Sequence, residues 1–81
     1  MFTEKDNALH AEFRFANFRQ AFAFMTDVAI QADKLGHHPE WSNLWNTVRI
    51  RLCTHDARNT ITDLDRQLAA AIEIIYQKIK H

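Results

Sequence analysis

One glycine and one proline serve the whole chain, and they stand three residues apart, at Gly36 and Pro39. These two residue types are the strongest local punctuation a backbone has, one freeing φ and the other fixing it. A chain of 81 residues that gathers them in one place must form long uninterrupted elements elsewhere, with its other turns built from Asn, Asp and Thr. Between them lie His37 and His38, so the sharpest turn coincides with a pair of titratable rings.

The segments on either side read clearly. Leu9, Ala11, Phe13 and Phe15 alternate with His10, Glu12 and Arg14, the period of a strand with one buried face. Residues 1–6 supply a short partner strand, with Asp6-Asn7 as the turn. Asn17 followed by Gln20 is a capping-box start, and Phe18, Ala21, Phe22, Met25, Val28, Ala29, Ala32 and Leu35 continue at helical spacing to Gly36. That predicts a helix from about 18 to 35. Residues 41–45 and 48–54 predict a hairpin with Asn46-Thr47 at the bend. In it Val48, Ile50 and Leu52 lie on one face, and Arg49, Arg51 and Cys53 on the other. Thr62 opens a second helix whose stripe is Leu64, Leu68, Ile72, Ile75 and Ile79, with Asp65 in its first turn. The order β-β-α-β-β-α is expected to form an α+β two-layer sandwich. A four-stranded antiparallel sheet carries both helices on one face, and residues 1–81 make a single domain.

Composition narrows the function. Hydrophobic residues are 47% of the chain and charged residues 25%, as in a folded globular domain and unlike a disordered tail. Ten basic residues balance ten acidic ones, which argues against direct nucleic-acid binding. No apolar run is long enough to span a membrane and none reads as a secretory leader. One cysteine, Cys53, forms no internal disulfide; together these features lead us to expect a cytoplasmic protein. At this size a lone core is marginal, so self-association is expected.

The histidines carry the chemistry. Asp33 stands four residues before His37 on the last turn of the first helix. His37 and His38 lie near that helix's negative end, where the dipole favours a cation. Pro39 stiffens the following backbone and Trp41 offers a flat apolar wall. His55 comes at the end of the last strand, and Asp65 follows at the start of the second helix. Groups that titrate near neutrality beside an aromatic wall suit general acid–base work on a planar heterocycle. From the residues alone other readings stand beside this one. His and Asp are also metal ligands, Asp65 serves equally well as a helix cap, and Trp41 as a core aromatic. His10 and His81 fall outside the constellation.

Asp33-Lys34-Leu35-Gly36-His37-His38-Pro39-Glu40-Trp41, then Val48-Arg49-Ile50-Arg51-Leu52-Cys53-Thr54-His55-Asp56, then Asp65, closely resemble the pterin-4a-carbinolamine dehydratases. The acid before a His-His-Pro triplet, the aromatic, the Thr-His after the last strand and the Asp of the final helix all occur in order. Phe18 to Met25 is similar to that family's first core helix, and the resemblance spans roughly residues 9–76. Departures are Asp33 where Glu is more common, a loop after His55 without its customary glycine, and no counterpart of the family's usual N-terminal helix.

The resemblance implies a lyase that needs no metal and no cofactor, removing water from a 4a-hydroxytetrahydropterin to give quinonoid dihydropterin. His37 and His38 would then do acid–base work, with His55 as the third catalytic histidine, binding and polarising the 4a-hydroxyl or the pterin. Asp33 would orient a histidine, and Pro39, Trp41 and Asp65 would complete the substrate site. It also implies homodimers built through the sheet or homotetramers paired through helices. The alternatives are a protein-interaction role, such as dimerisation cofactor of a transcription regulator, or a degenerate member acting on another heterocycle.

Overall fold

The structure, a computed structural model, describes residues 1–80; His81 lies outside the described residues. The elements are β1 (Thr3–Lys5), β2 (Ala8–Arg14), α1 (Phe18–Leu35), β3 (Glu40–Leu44), β4 (Thr47–Leu52) and α2 (Asp63–Lys80). A single 3₁₀ turn, His55–Ala57, lies between β4 and α2. The strands form one antiparallel sheet in the order β1-β2-β4-β3, and α1 and α2 pack against each other over its inner face. The α+β two-layer arrangement is the one expected. Among the described residues no helix is long and apolar enough to cross a membrane.

Register follows from alternation. Phe13 pairs with Val48 and Leu9 with Leu52, so the apolar residues of β2 and β4 share the face under the helices. Phe13, Phe15 and Phe24 meet Tyr76 there, with ring centroids 4.9–6.1 Å apart. Burial of these rings is the main source of stability, at about 2–3 kcal/mol for each large side chain. On the opposite face Arg49 pairs with Glu12 at 2.9 Å and Arg51 with Glu40 at 3.3 Å, both in solvent.

The turns follow side-chain chemistry. Asp6 and Asn7 take φ of 53° and 60°, the left-handed pair of a tight hairpin, as their identities suggest. The second hairpin turns one residue earlier than expected, at Trp45-Asn46, because Leu44 already pairs with Thr47. Trp45 is held at φ 53°. Asn43 Nδ2 donates to the Trp45 and Thr47 carbonyls, and Asn46 exchanges two hydrogen bonds with the Phe15 backbone. At its other end β4 stops at Leu52, so Cys53 lies just beyond the strand, and it is buried.

Asn17 and Gly36 bound α1 as expected and α2 starts just after Thr62, but the buried faces of both helices differ from expectation. Asn17 Oδ1 accepts from the Gln20 N–H at 2.9 Å, and Gln20 Oε1 accepts from the Ala16 N–H at 3.1 Å. The buried stripe of α1 is Ala21, Phe24, Val28 and Ala32, leaving Phe18 and Phe22 about half exposed. That of α2 is Asp65, Leu68, Ala69, Ile72 and Tyr76, leaving Leu64 exposed.

Candidate active site

The site is assembled by the end of one helix and the start of the other. Gly36, at φ 63°, closes α1 with paired bonds: its N–H donates to Asp33 O at 3.1 Å, and the His37 N–H donates to Ala32 O at 3.0 Å. This Schellman closure fixes His37 as the second residue beyond the helix. Because α1 and α2 pack side by side, the side chain of His37 meets the first turn of α2. Its Nε2 lies 2.5 Å from Asp65 Oδ1. His37 is 11% exposed and Asp65 is fully buried.

Asp65 is a capping residue and a histidine partner at once. Its Oδ2 accepts from the Thr62 N–H at 2.9 Å, which is the capping bond the sequence suggests. The same oxygen accepts from Thr54 Oγ1 at 2.8 Å, and Thr54 Oγ1 lies 2.6 Å from Thr62 Oγ1. Burial would push the Asp65 carboxyl up. The donors from His37, the Thr62 N–H and Thr54, with the charge of His37, outweigh it and hold the carboxyl below its ordinary value. A carboxylate surrounded only by donors stays ionised and accepting.

The other expected residues are placed differently. His38 faces outward, with Nε2 3.3 Å from Asp33 Oδ1, and both side chains are largely exposed. Asp33 thus reaches His38, and Asp65, twenty-eight residues away, is the partner of His37. His55 opens the 3₁₀ turn in solvent, with Nδ1 2.7 Å from Asn59 Oδ1. Arg58 and Asn59 hold φ of 61° and 56°, so two non-glycine residues take left-handed backbone in the loop that lacks a glycine. Thr54 N–H donates to Thr60 O at 2.8 Å and closes that loop. Pro39 is partly buried, and Trp41, beside Ile50, packs against the margin of the core. Among the described residues no three His, Cys, Asp or Glu side chains converge as a metal cluster would.

Sequence reasoning gave no role to Thr54 and read Thr62 only as a helix start. The available signal was Thr-x-x-Asp at 62–65 in a helix whose apolar spacing passes through Asp65 itself. A cavity of about 490 Å³ lies elsewhere, on the outer face of the sheet, bordered by His10, Glu12, Glu40, Ser42, Arg49 and Arg51. Of the expected site residues only Trp41 also touches it. Neither His37 nor Asp65 borders it.

The chain is thus a two-layer α+β fold in which a buried carboxylate meets a histidine where the end of one helix reaches the start of the other. The family profile described as pterin 4 alpha carbinolamine dehydratase matches residues 2–75, and the chain belongs to that family. A relative from Prochlorococcus marinus (strain MIT 9303), named "Putative pterin-4-alpha-carbinolamine dehydratase", is 49% identical over 73 residues. The match covers 90% of this chain and 75% of the relative. A relative of the same name from Chelativorans sp. (strain BNC1) is 52% identical over 66 residues, covering 82% of this chain and 66% of the relative. The crystal structure of a transcriptional coactivator/pterin dehydratase from Brucella melitensis superposes with a TM-score of 0.88 at 39% identity, covering 93% of this chain and 81% of that one. A pterin dehydratase-like protein described as a RuBisCO assembly factor in the alpha-carboxysome shares the fold, with a TM-score of 0.76 at 22% identity. That match covers 94% of this chain and 87% of the assembly factor.

Proposed function

We propose that the chain dehydrates a 4a-hydroxytetrahydropterin to quinonoid dihydropterin, with His37 as the central proton-transfer group. The observation that carries this reading is the buried Asp65 carboxylate on His37 Nε2. The reaction needs one proton delivered to the leaving hydroxyl, which departs as water, and one proton removed from the ring. Imidazole can do either near neutral pH. An ionised carboxylate on one nitrogen orients the ring and stabilises the imidazolium whenever the other nitrogen takes a proton. His38, adjacent but solvent-facing, is suited to exchanging protons between site and water. His55, on the loop that follows β4, is suited to contacting the hydroxyl or the pterin. Asp33 would steady His38, and Pro39 and Trp41 would shape the approach.

The test is stopped-flow dehydration of freshly generated 4a-hydroxytetrahydropterin, with the spontaneous rate subtracted. A protein-dependent rate that is lost in His37→Ala supports the reading. A rate no different from buffer refutes it.

A protein-binding reading rests on exposed apolar residues and sheet edges. Phe18 and Phe22 lie in solvent with ring centroids 5.8 Å apart, and Leu44 and Trp45 are 75% and 63% exposed at the end of edge strand β3. Self-association through these surfaces is the form we propose, as a dimer or tetramer. Sedimentation at micromolar concentration tests it, and a persistent 9.5 kDa species would count against it.

A further inference from the structure

Two hydroxyls stand behind Asp65, and each carries a single proton. Thr54 Oγ1 has two near neighbours, Thr62 Oγ1 at 2.6 Å and Asp65 Oδ2 at 2.8 Å. The Thr62 hydroxyl is 3.5 Å from the same carboxylate oxygen, too long for a useful bond. One assignment satisfies every group: Thr62 donates to Thr54, and Thr54 donates to Asp65 Oδ2. The Thr62 N–H donates to Oδ2 as well, so that oxygen is fully occupied and the carboxylate cannot turn about its Cβ–Cγ bond. Oδ1 is then left with one partner, His37 Nε2.

We propose that Thr54 is a positioning residue whose hydroxyl, braced by Thr62, locks the Asp65 carboxylate and so confines neutral His37 to its Nε2–H tautomer with Nδ1 unprotonated. The consequence follows from donor and acceptor counting. An accepting Oδ1 requires a proton on Nε2, so the lone pair of the neutral ring resides on Nδ1. That nitrogen has no hydrogen-bond partner among the described residues, and no side-chain polar atom there is both buried and unpaired, so Nδ1 is accessible. Without the Thr54 hydroxyl, only the Thr62 N–H would hold Oδ2. The carboxylate could then turn toward the Thr62 hydroxyl, and Nε2 would lose its fixed acceptor. The effect on turnover rests on the proposed dehydratase activity; the effect on tautomer does not.

The experiment reads both. Long-range ¹H–¹⁵N spectra of the full chain labelled at histidine, recorded at about pH 8.5 where ordinary histidine is neutral, report the tautomer of His37 directly. The wild type should show Nε2–H alone. Thr54→Val should show a mixture and lose about tenfold in kcat, part of the ~10²–10⁴ that a proton-transfer group supplies, with KM within about twofold of wild type. Thr54→Ser should restore the single tautomer and the rate. An unprotonated Nε2 in the wild type overturns the proposal. So does a Val variant with unchanged tautomer and rate, or a Ser variant as impaired as Val. If Thr54→Val does not fold, Thr54→Ala removes the same hydroxyl and is read in its place, an unchanged tautomer there overturning the proposal. If no variant turns over the pterin, the proposed activity fails while the spectra continue to judge Thr54.

Discussion

Replacing Asp65 by Asn is the sharpest probe of the site, because it keeps the shape and removes both the charge and one acceptor. Three donors converge on the carboxylate: His37 Nε2, Thr54 Oγ1 and the Thr62 N–H. An amide has one oxygen for them. If that oxygen keeps Thr54 and Thr62, its NH₂ faces His37 Nε2, and two donors collide unless the ring changes tautomer. Hydrogen bonds to a charged group are worth about 1.5–3 kcal/mol each. Losing one of them with partial rearrangement should cost about 2–3 kcal/mol, which for a domain of this size lowers Tm by about 8–24 °C. Turnover should fall by about 10²-fold or more, because the wrong tautomer is imposed on the proton-transfer ring. The pH dependence has a definite sign. The Asp65 carboxyl is lowered in the fold, so its contribution is complete above the ordinary carboxyl range near ~4 and disappears as pH falls through the lower folded value. Chemical denaturation of wild type and Asp65→Asn at fixed protein concentration should therefore show a stability gap at about pH 5 that narrows as pH falls below about 4. Glu12 is also lowered, by its hydrogen bond to Arg14 and by Arg49, but it is common to both proteins and cancels in the difference. A gap under about 0.5 kcal/mol at neutral pH, the range of an ordinary surface change, or one that persists unchanged at low pH, would refute the reasoning.

His37→Ala and His38→Ala should both lose about 10²-fold in turnover, but His38→Ala should leave the melting temperature almost unchanged because that side chain is 67% exposed. His10→Ala, outside the constellation, should retain turnover; a loss equal to that of His37→Ala would dissolve the assignment. Gly36→Ala should cost about 1 kcal/mol by urea denaturation from the left-handed backbone alone, because an added Cβ meets nothing within 4 Å. Phe24→Ala should cost about 3–5 kcal/mol, whereas Phe22→Ser should not destabilise a dilute monomer by more than about 0.5 kcal/mol, since Phe24 is fully buried and Phe22 is 56% exposed.

What the sequence made legible was whatever local chemistry decides. Alternation from Leu9 to Phe15, the Asn17 cap, Gly36 and the Asp6-Asn7 turn each act within a few residues, and the structure places all of them as read. The faces of the helices were less legible because α1 carries apolar residues on more than one side. Phe18, Ala21, Phe22, Met25, Val28 and Ala29 fit a helical spacing almost as well as Ala21, Phe24, Val28 and Ala32. Only contact with Phe13 and Tyr76 selects the second set. The hairpin bend shifted for a similar reason: Trp45 has no intrinsic liking for left-handed backbone and is held there by the side chain of Asn43 and the anchoring of Asn46.

The partner of His37 required the tertiary fold, and here local logic misdirects. Asp33 lies one helical turn away and invites pairing, yet its side chain lies outward on α1 with His38, while the closure at Gly36 turns His37 inward toward α2. The overlooked signal lay in α2. Positions 65, 68, 69, 72 and 76 are spaced as one buried stripe, and the first of them is an acid. A carboxylate on an apolar stripe is too costly to leave without donors, so Asp65 demands partners from neighbouring elements, and the Thr62 cap supplies only one. Thr54, two residues past β4, and His37, two residues past α1, follow the elements that stop where that demand arises. The same helix-start signal that reads as a simple cap therefore contains, through the burial of its carboxylate, the reason a histidine is held in place beside it.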